Sequence, residues 1–341
     1  MMAARRRFAP HLAAGLFALG GLGVAPAALH AQTHLVIVSG LGGEKKYSTA
    51  FNEMASQLAD AAVKRWGLPD ADAIWLGEDS VAAGRPHYRG PSTKANVEQT
   101  LTKLAAQATP GEQVVVVLIG HGSGEGEQTK ISLPGPDISA RDFAQLLARF
   151  STQRVAFVNL TSASGDMLPV LSGPNRVVIT ATKSAFERNE SKFARFFVDA
   201  LSKDGADADK DDRVSLLEAF RYAAAETKRF YENETKLQTE HAQFDDMGMK
   251  EGVAEPDGRE KQGLLARRFF LDGGMSPQLA ANDPQLAALY KEKFAIEDQI
   301  DQLRAKKTTM TADAYDDALE TLLVNLARKA RTIRELEGRK S

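Results

Sequence analysis

Two rhythms alternate along this chain, short apolar runs and longer stretches in which apolar residues return every three or four positions. The densest run is 114–122, VVVVLIGHG, four valines with Leu118 and Ile119 leading into Gly-His-Gly. A β-branched run of this kind predicts a strand buried on both faces, as in a parallel sheet covered by helices. Runs at 34–39 (HLVIVS), 73–76, 154–159 and 176–182 (RVVITAT) predict further strands. Between them the spacing turns helical. Phe51, Met54, Leu58, Ala62 and Trp66 mark a helix over 47–66, and Val97, Leu101 and Leu104 mark the next. Phe143, Leu146 and Leu147 lie within 139–150, Phe193, Phe196, Phe197 and Val198 within 192–201, and another helix runs over 216–231. Strands and helices in this alternation predict an α/β fold, a mostly parallel sheet covered by helices on both faces. The Gly- and Pro-containing 84–91 reads as a loop and 129–133 as a small hairpin arm. The polar stretch 236–262 reads as a long, mobile or ligand-ordered loop, and LLARRFFL at 264–271 as a last strand.

Beyond the sheet domain, Asp283 followed by Pro284 is a helix start signal. Leu286, Leu289, Ile296, Ile300 and Leu303 form one apolar stripe. Tyr315, Leu319, Leu322, Leu326, Ile333 and Leu336 form another, across a short break at 307–311. The heptad-like spacing predicts a C-terminal antiparallel helical hairpin over 283–341. The stripes leave three uses open: docking on its own domain, self-association, or engaging a protein partner.

Composition adds compartment and exclusions. With 341 residues, 43% of them hydrophobic, there is material for one large core in 32–275 plus the hairpin. Residues 1–31 differ in kind: Arg5, Arg6 and Arg7 precede an apolar 12–24, Pro26 interrupts it, and Ala31 offers a small residue for cleavage. That is the pattern of a signal peptide and predicts an exported protein, periplasmic or secreted. No later segment is apolar for long enough to cross a bilayer. Removing the leader's three arginines, with no acid among those residues, takes the formal charge from -2 to -5. A mildly acidic chain argues against nucleic acid as a partner. The absence of cysteine excludes disulfides, a thiol nucleophile and thiolate metal sites.

Candidate chemistry starts at His121, at the carboxyl end of the densest strand, the edge at which open α/β sheets bind ligands. The strand 154–159 also runs into small polar residues: Thr161, Ser162, Ala163, Ser164 and Gly165. Two neighbouring strand ends then face one cleft. The plainer reading has His121 ending a strand, with Thr161, Ser162 and Ser164 capping the helix that follows.

Four stretches in this order, HLVIVSGLGG with Tyr47 after it, VVVVLIGHGS, VAFVNLTSASGDM and RVVITAT, resemble the caspase and hemoglobinase superfamily, most closely legumain-type peptidases and their bacterial relatives. The resemblance covers roughly residues 34 to 200. It implies a caspase-like sheet and a His–Cys dyad whose His is His121 and whose Cys position is held by Ser162. It also places Ser48 and Thr49 where the legumain pattern has Arg-His, and Leu160 where it has Glu, so asparagine specificity is not implied. A cysteine beside a histidine is readily thiolate, whereas a serine needs a base that takes its proton during attack, usually a His oriented by a carboxylate. Asp137, Asp142 and Asp166 are the acids near enough in sequence. The amides of Gly122 and of the residue after Ser162 are candidates for an oxyanion hole, with Thr161, Ser164 and Gly165 lining the cleft. Two functions follow: a pseudopeptidase that binds peptide or protein without cleaving it, or a hydrolase using a Ser162/His121 dyad.

A second motif is a calcium loop. Asp207, Asp209, Asp211, Arg213, Ser215 and Glu218 occupy positions 1, 3, 5, 7, 9 and 12 of the pattern that wraps Ca2+. The spacing predicts a structural calcium ion beside the cleft. The same Ser215 and Glu218 also spell a capping box.

Overall fold

The computed structural model describes residues 33–210, 213–258, 262–272, 284–305 and 307–337. The expected signal peptide, and Asp211 and Asp283, lie outside them. In chain order the strands are β1 (Thr33–Ser39), β2 (Ala73–Gly77), β3 (Tyr88–Pro91), β4 (Gln113–Ile119), β5 (Gly122–Ser123), β6 (Lys130–Ile131), β7 (Ile138–Ser139), β8 (Arg154–Asn159), β9 (Arg176–Thr180) and β10 (Gln243–Asp245). The helices are α1 (Lys45–Lys64), α2 (Asp79–Ala82), α3 (Lys94–Gln107), α4 (Ala140–Leu147), α5 (Met167–Leu171), α6 (Lys192–Ser202), α7 (Leu216–Asn233), α8 (Pro284–Ala305) and α9 (Ala312–Glu337).

Seven strands form one sheet in the order β10-β9-β8-β4-β1-β2-β3, parallel throughout except for the antiparallel β9–β10 pair. The run of valines is its middle strand, β4. Alternate residues divide between two cores, as a strand covered on both sides requires. Leu35, Ile37, Val115 and Val117 face α1, α6 and α7 through Phe51, Leu58, Phe193 and Phe220. Val36, Val38, Val114 and Val116 face α3, α4 and α5 through Leu101, Phe143 and Leu171. β5, β6 and β7 form a separate antiparallel sheet, which contains the expected arm at 129–133.

The structure differs from the pattern at three places. The Gly/Pro stretch expected as loop supplies β3, an edge strand. The expected loop 236–262 contains β10 and a bridge between Phe244 and Val253. The expected strand 264–271 is a 3-10 turn, Ala266–Arg268, followed by a single bridge from Phe270 to Ser215. Buried carboxylates account for the last two. Asp246 accepts the amides of Gly263 (2.8 Å), Leu265 (2.8 Å) and Ala266 (3.0 Å), and Asp245 accepts those of Met247 and Lys250, both at 3.0 Å. Amides held by side chains need no ladder partner.

α8 and α9 form the hairpin. Leu286, Ile300, Leu303, Tyr315 and Ile333 are buried, and an ion pair joins Lys329 to Glu292. No helix among the described residues is long and apolar enough to cross a membrane.

Candidate active site at the sheet edge

From β1 the chain winds outward through β2 and β3, then returns to place β4 on the other side of β1 and continues through β8 and β9. The switch point is therefore the crevice beyond the carboxyl ends of β1 and β4, where such sheets bind ligands. β1 runs out into Gly40, Leu41, Gly42 and Gly43. Gly42 lies so close to the start of α1 that a Cβ on it would come 2.2 Å from the Ser48 amide nitrogen.

β4 delivers His121 into this crevice, half-buried. Its ring packs edge-on against Tyr47, with centroids 4.8 Å apart at 82°, and against Phe51, 5.0 Å apart at 78°. Tyr47 and Phe51 are four apart on α1 and so share one face. Among the described residues, no side chain hydrogen-bonds the imidazole.

β8 delivers the turn 161–165 directly beside it, because β8 pairs with β4 in parallel. Ser162 retains only 3% of its exposure, and its Oγ accepts a hydrogen bond from the Gly122 amide at 3.3 Å. The contact is close: a Cβ on Gly122 would lie 2.2 Å from the Ser162 carbonyl oxygen. Ala163 is in the left-handed region, φ 53°, and its amide donates to the Glu187 carbonyl at 2.8 Å. Both amides expected to form an oxyanion hole are thus engaged within the protein.

The expected cleft residues Thr161 and Ser164 are fully buried and line no open surface. Thr161 Oγ1 donates to Asn159 Oδ1 (2.8 Å), and Ser164 Oγ meets Thr182 Oγ1 (3.1 Å). Gly165 donates its amide to Thr182 Oγ1 at 3.0 Å. The bonds to Thr182 tie the turn to the chain just beyond β9, and that of Thr161 holds it to the end of β8; the capping role is not taken, since Asp166 holds the N-cap position of α5. Beside the turn, an open groove of about 540 Å³ runs from Gly165 and Asp166 to Lys183 and Gln243.

None of the three candidate acids reaches His121. Asp137 pairs with Lys130 at 2.8 Å and accepts the Leu133 amide. Asp166 accepts the amides of Gly126 (3.0 Å) and Ala185 (3.3 Å), bridging two loops. Asp142 accepts from Lys94 Nζ at 2.7 Å and completes a capping box with Ser139 at the start of α4. Burial alone would raise the Asp142 pKa; the Lys94 ammonium and the Ser139 amide and hydroxyl outweigh it and hold the carboxyl below its ordinary 3.8.

Three features of the site carry little or no signal in the sequence. The Tyr47–Phe51 clamp on the imidazole was visible only as an i, i+4 aromatic pair after the Gly loop. The Glu187 carbonyl that occupies the Ala163 amide had no signal. Leu41, which follows β1 and Gly40, and Phe186, beside Glu187 whose carbonyl bonds the Ala163 amide, are 37% and 78% exposed, and isolated apolar residues in polar loops are weak signals.

In the expected calcium loop, carboxylate oxygens of Asp207, Asp209 and Glu218 lie within 4.8 Å of one another. Glu218 Oε1 accepts the Ala208 amide at 3.0 Å, and its Oε2 accepts both the amide and the hydroxyl of Ser215. The capping box is therefore formed at the same residues. The Arg213 side chain turns inward to a buried ion pair with Asp272 at 2.8 Å.

No family model matches the sequence, and no curated protein matches it. Among solved structures the chain is similar to the initiator caspase Dronc of Drosophila, at 11% identity over 71% of this chain and 85% of that one, TM-score 0.42. It is similar to protein GSU0716 from Geobacter sulfurreducens, at 11% identity over 57% and 89%, TM-score 0.38. It is also similar to a secreted C11 cysteine protease from Bacteroides thetaiotaomicron solved with an irreversible peptide inhibitor, at 11% over 58% and 59%, TM-score 0.34. These are likenesses of overall fold alone.

Proposed function

We propose that this chain is an exported, legumain-type caspase-like protein that has lost proteolysis and uses the crevice beside β4 to hold a peptide or protein ligand. The observation that carries the reading is the state of Ser162. Its hydroxyl accepts from the Gly122 amide rather than donating to His121, and it is almost fully buried. With no carboxylate on the imidazole among the described residues and the Ala163 amide bonded to Glu187, neither base activation nor oxyanion stabilisation is prepared. What the site retains is a crevice between two strand ends, and exposed Leu41 and Phe186, on the loops that follow β1 and β9, offer apolar area to an extended peptide.

The test is a mixed peptide library presented to the wild type, Ser162→Ala and Ser162→Cys with calcium present. No cleavage by the wild type is expected. Peptides captured by the wild type should bind Ser162→Ala equally and lose affinity for Leu41→Asp and Phe186→Asp. Cleavage that vanishes in Ser162→Ala would instead establish a Ser162/His121 hydrolase.

The loop 207–218 is proposed to hold one structural calcium ion, with Asp207, Asp209 and Glu218 among its ligands. Three convergent carboxylates at the start of α7 support it.

A further inference from the structure

The buried stripe of α9 packs against α8, but a second stripe runs along its opposite, exposed side. Asp313, Asp317, Glu320, Val324, Ala327 and Arg331 follow one another at alternating intervals of four and three and are all exposed. That spacing places them on one face of the helix, with Val324 and Ala327 its apolar members. Charge along this face is segregated: acids occupy its first half, then Val324 with Leu323 at its flank, 42% and 46% exposed, then Arg328 and Arg331.

The helix dipole favours acids at an N-terminus and bases at a C-terminus, but only within the terminal turns. Asp317 and Glu320 lie beyond the first turn of α9, and Arg328 lies well before its last. The arrangement has another property. Reversed about Val324, the face matches itself: Asp317 comes opposite Arg331, Glu320 opposite Arg328, and Val324 opposite Val324.

We propose that the outward face of α9 is a homodimer interface, pairing antiparallel with the same face of a second copy about a two-fold axis at Val324. A two-fold contact is self-complementary, so each charged pair occurs twice. The apolar centre supplies attraction while the flanking charges set direction; parallel pairing would put Asp317 on Asp317 and Arg331 on Arg331. The overlap from Asp317 to Arg331 is about 21 Å long at the helical rise. Arg331 already bonds Glu335 at 2.7 Å, an exposed pair within one helix that costs little to share. The same reversal brings Asp313 opposite Glu335 at the ends of the overlap, where solvent screens the repulsion and Glu335 keeps that arginine beside it.

Sedimentation velocity on the full chain tests this. The wild type should sediment as a dimer that weakens as salt is raised. Asp317→Lys with Glu320→Lys should be monomeric, as should Arg328→Glu with Arg331→Glu. An equimolar mixture of the two should regain the dimer, because every pair across the axis is again opposite in charge. A monomeric wild type, or a dimer that survives either charge reversal, overturns the proposal. Because the chain has no cysteine, a second measurement needs no charge change. Under a mild oxidant Val324→Cys should cross-link into a covalent dimer and Ala327→Cys, which the antiparallel register places opposite Thr321, should not, and the opposite result overturns the antiparallel register.

Discussion

A serine fits the space of a cysteine but not its acidity, and the residues around Ser162 have settled on the hydroxyl as an acceptor. A thiol near its ordinary pKa of ~8.5 supplies some nucleophile unaided, whereas a hydroxyl waits for a base. The single bond from Gly122 is long, so Ser162→Ala should cost only about 0.5–1.5 kcal/mol in denaturant unfolding. Gly122→Ala should cost more, about 1–3 kcal/mol, because its Cβ would meet the Ser162 carbonyl at 2.2 Å and backbone would have to move. Finding the serine change the costlier of the two would mean that the turn is held by the hydroxyl and not by close backbone approach. His121 and Ser162 were legible in the sequence because each sits where an apolar run breaks into glycine or small polar residues. Their relation was not, since it depends on the register of β8 on β4 and on a carbonyl at Glu187, well separated along the chain.

At the scale of elements, carboxylates do much of the fixing, and the start of α4 shows it. Asp142 bonds the amide and hydroxyl of Ser139 and pairs with Lys94, so one side chain joins the α4 cap to α3. Its pKa is held below the ordinary value, so the folded state binds that proton less readily than the unfolded chain does. The stabilisation is complete above the ordinary carboxylate range and is lost as pH falls through the folded-state pKa. Asp142→Asn should therefore lower stability at neutral pH and flatten its loss in acid, as read by unfolding midpoints along a pH series. Ser139→Ala should cost about 1 kcal/mol, the usual worth of an N-cap. At α7 calcium should raise the melting temperature, a chelator should reverse the rise, and Asp207→Asn should abolish it; a melting temperature indifferent to calcium would leave the capping box as the loop's whole purpose. The central strands and long helices could be read from their periods because both kinds bury continuous apolar faces. β3 and β10 could not: Tyr88-Arg89-Gly90-Pro91 carries a glycine and a proline, and Gln243-Phe244-Asp245 has one apolar side chain, which is all a short edge strand needs.

For the whole molecule, the described residues of the sheet domain close its two cores without the hairpin. One core runs from Leu35 to Leu271 and the other from Val36 to Val178, and among the described residues neither contains one of α8 or α9. The hairpin's own buried residues, Leu286, Ile300, Leu303, Tyr315 and Ile333, come from its two helices, which pack on each other. Asp272, at the end of the described part of the sheet domain, pairs with the buried Arg213 guanidinium, and breaking such a pair costs several kcal/mol. Deleting residues 283–341 keeps that pair and the residues of both cores. The truncated chain should unfold with a stability within about 0.5 kcal/mol of the full chain's sheet-domain transition, as expected for independent units. Its peptide capture should be unchanged, since Leu41, His121 and Phe186 all belong to the sheet domain. A truncated chain that unfolds early, or that loses captured peptides, would place the hairpin against the crevice as part of the ligand site, and the two functions assigned to separate surfaces would be one.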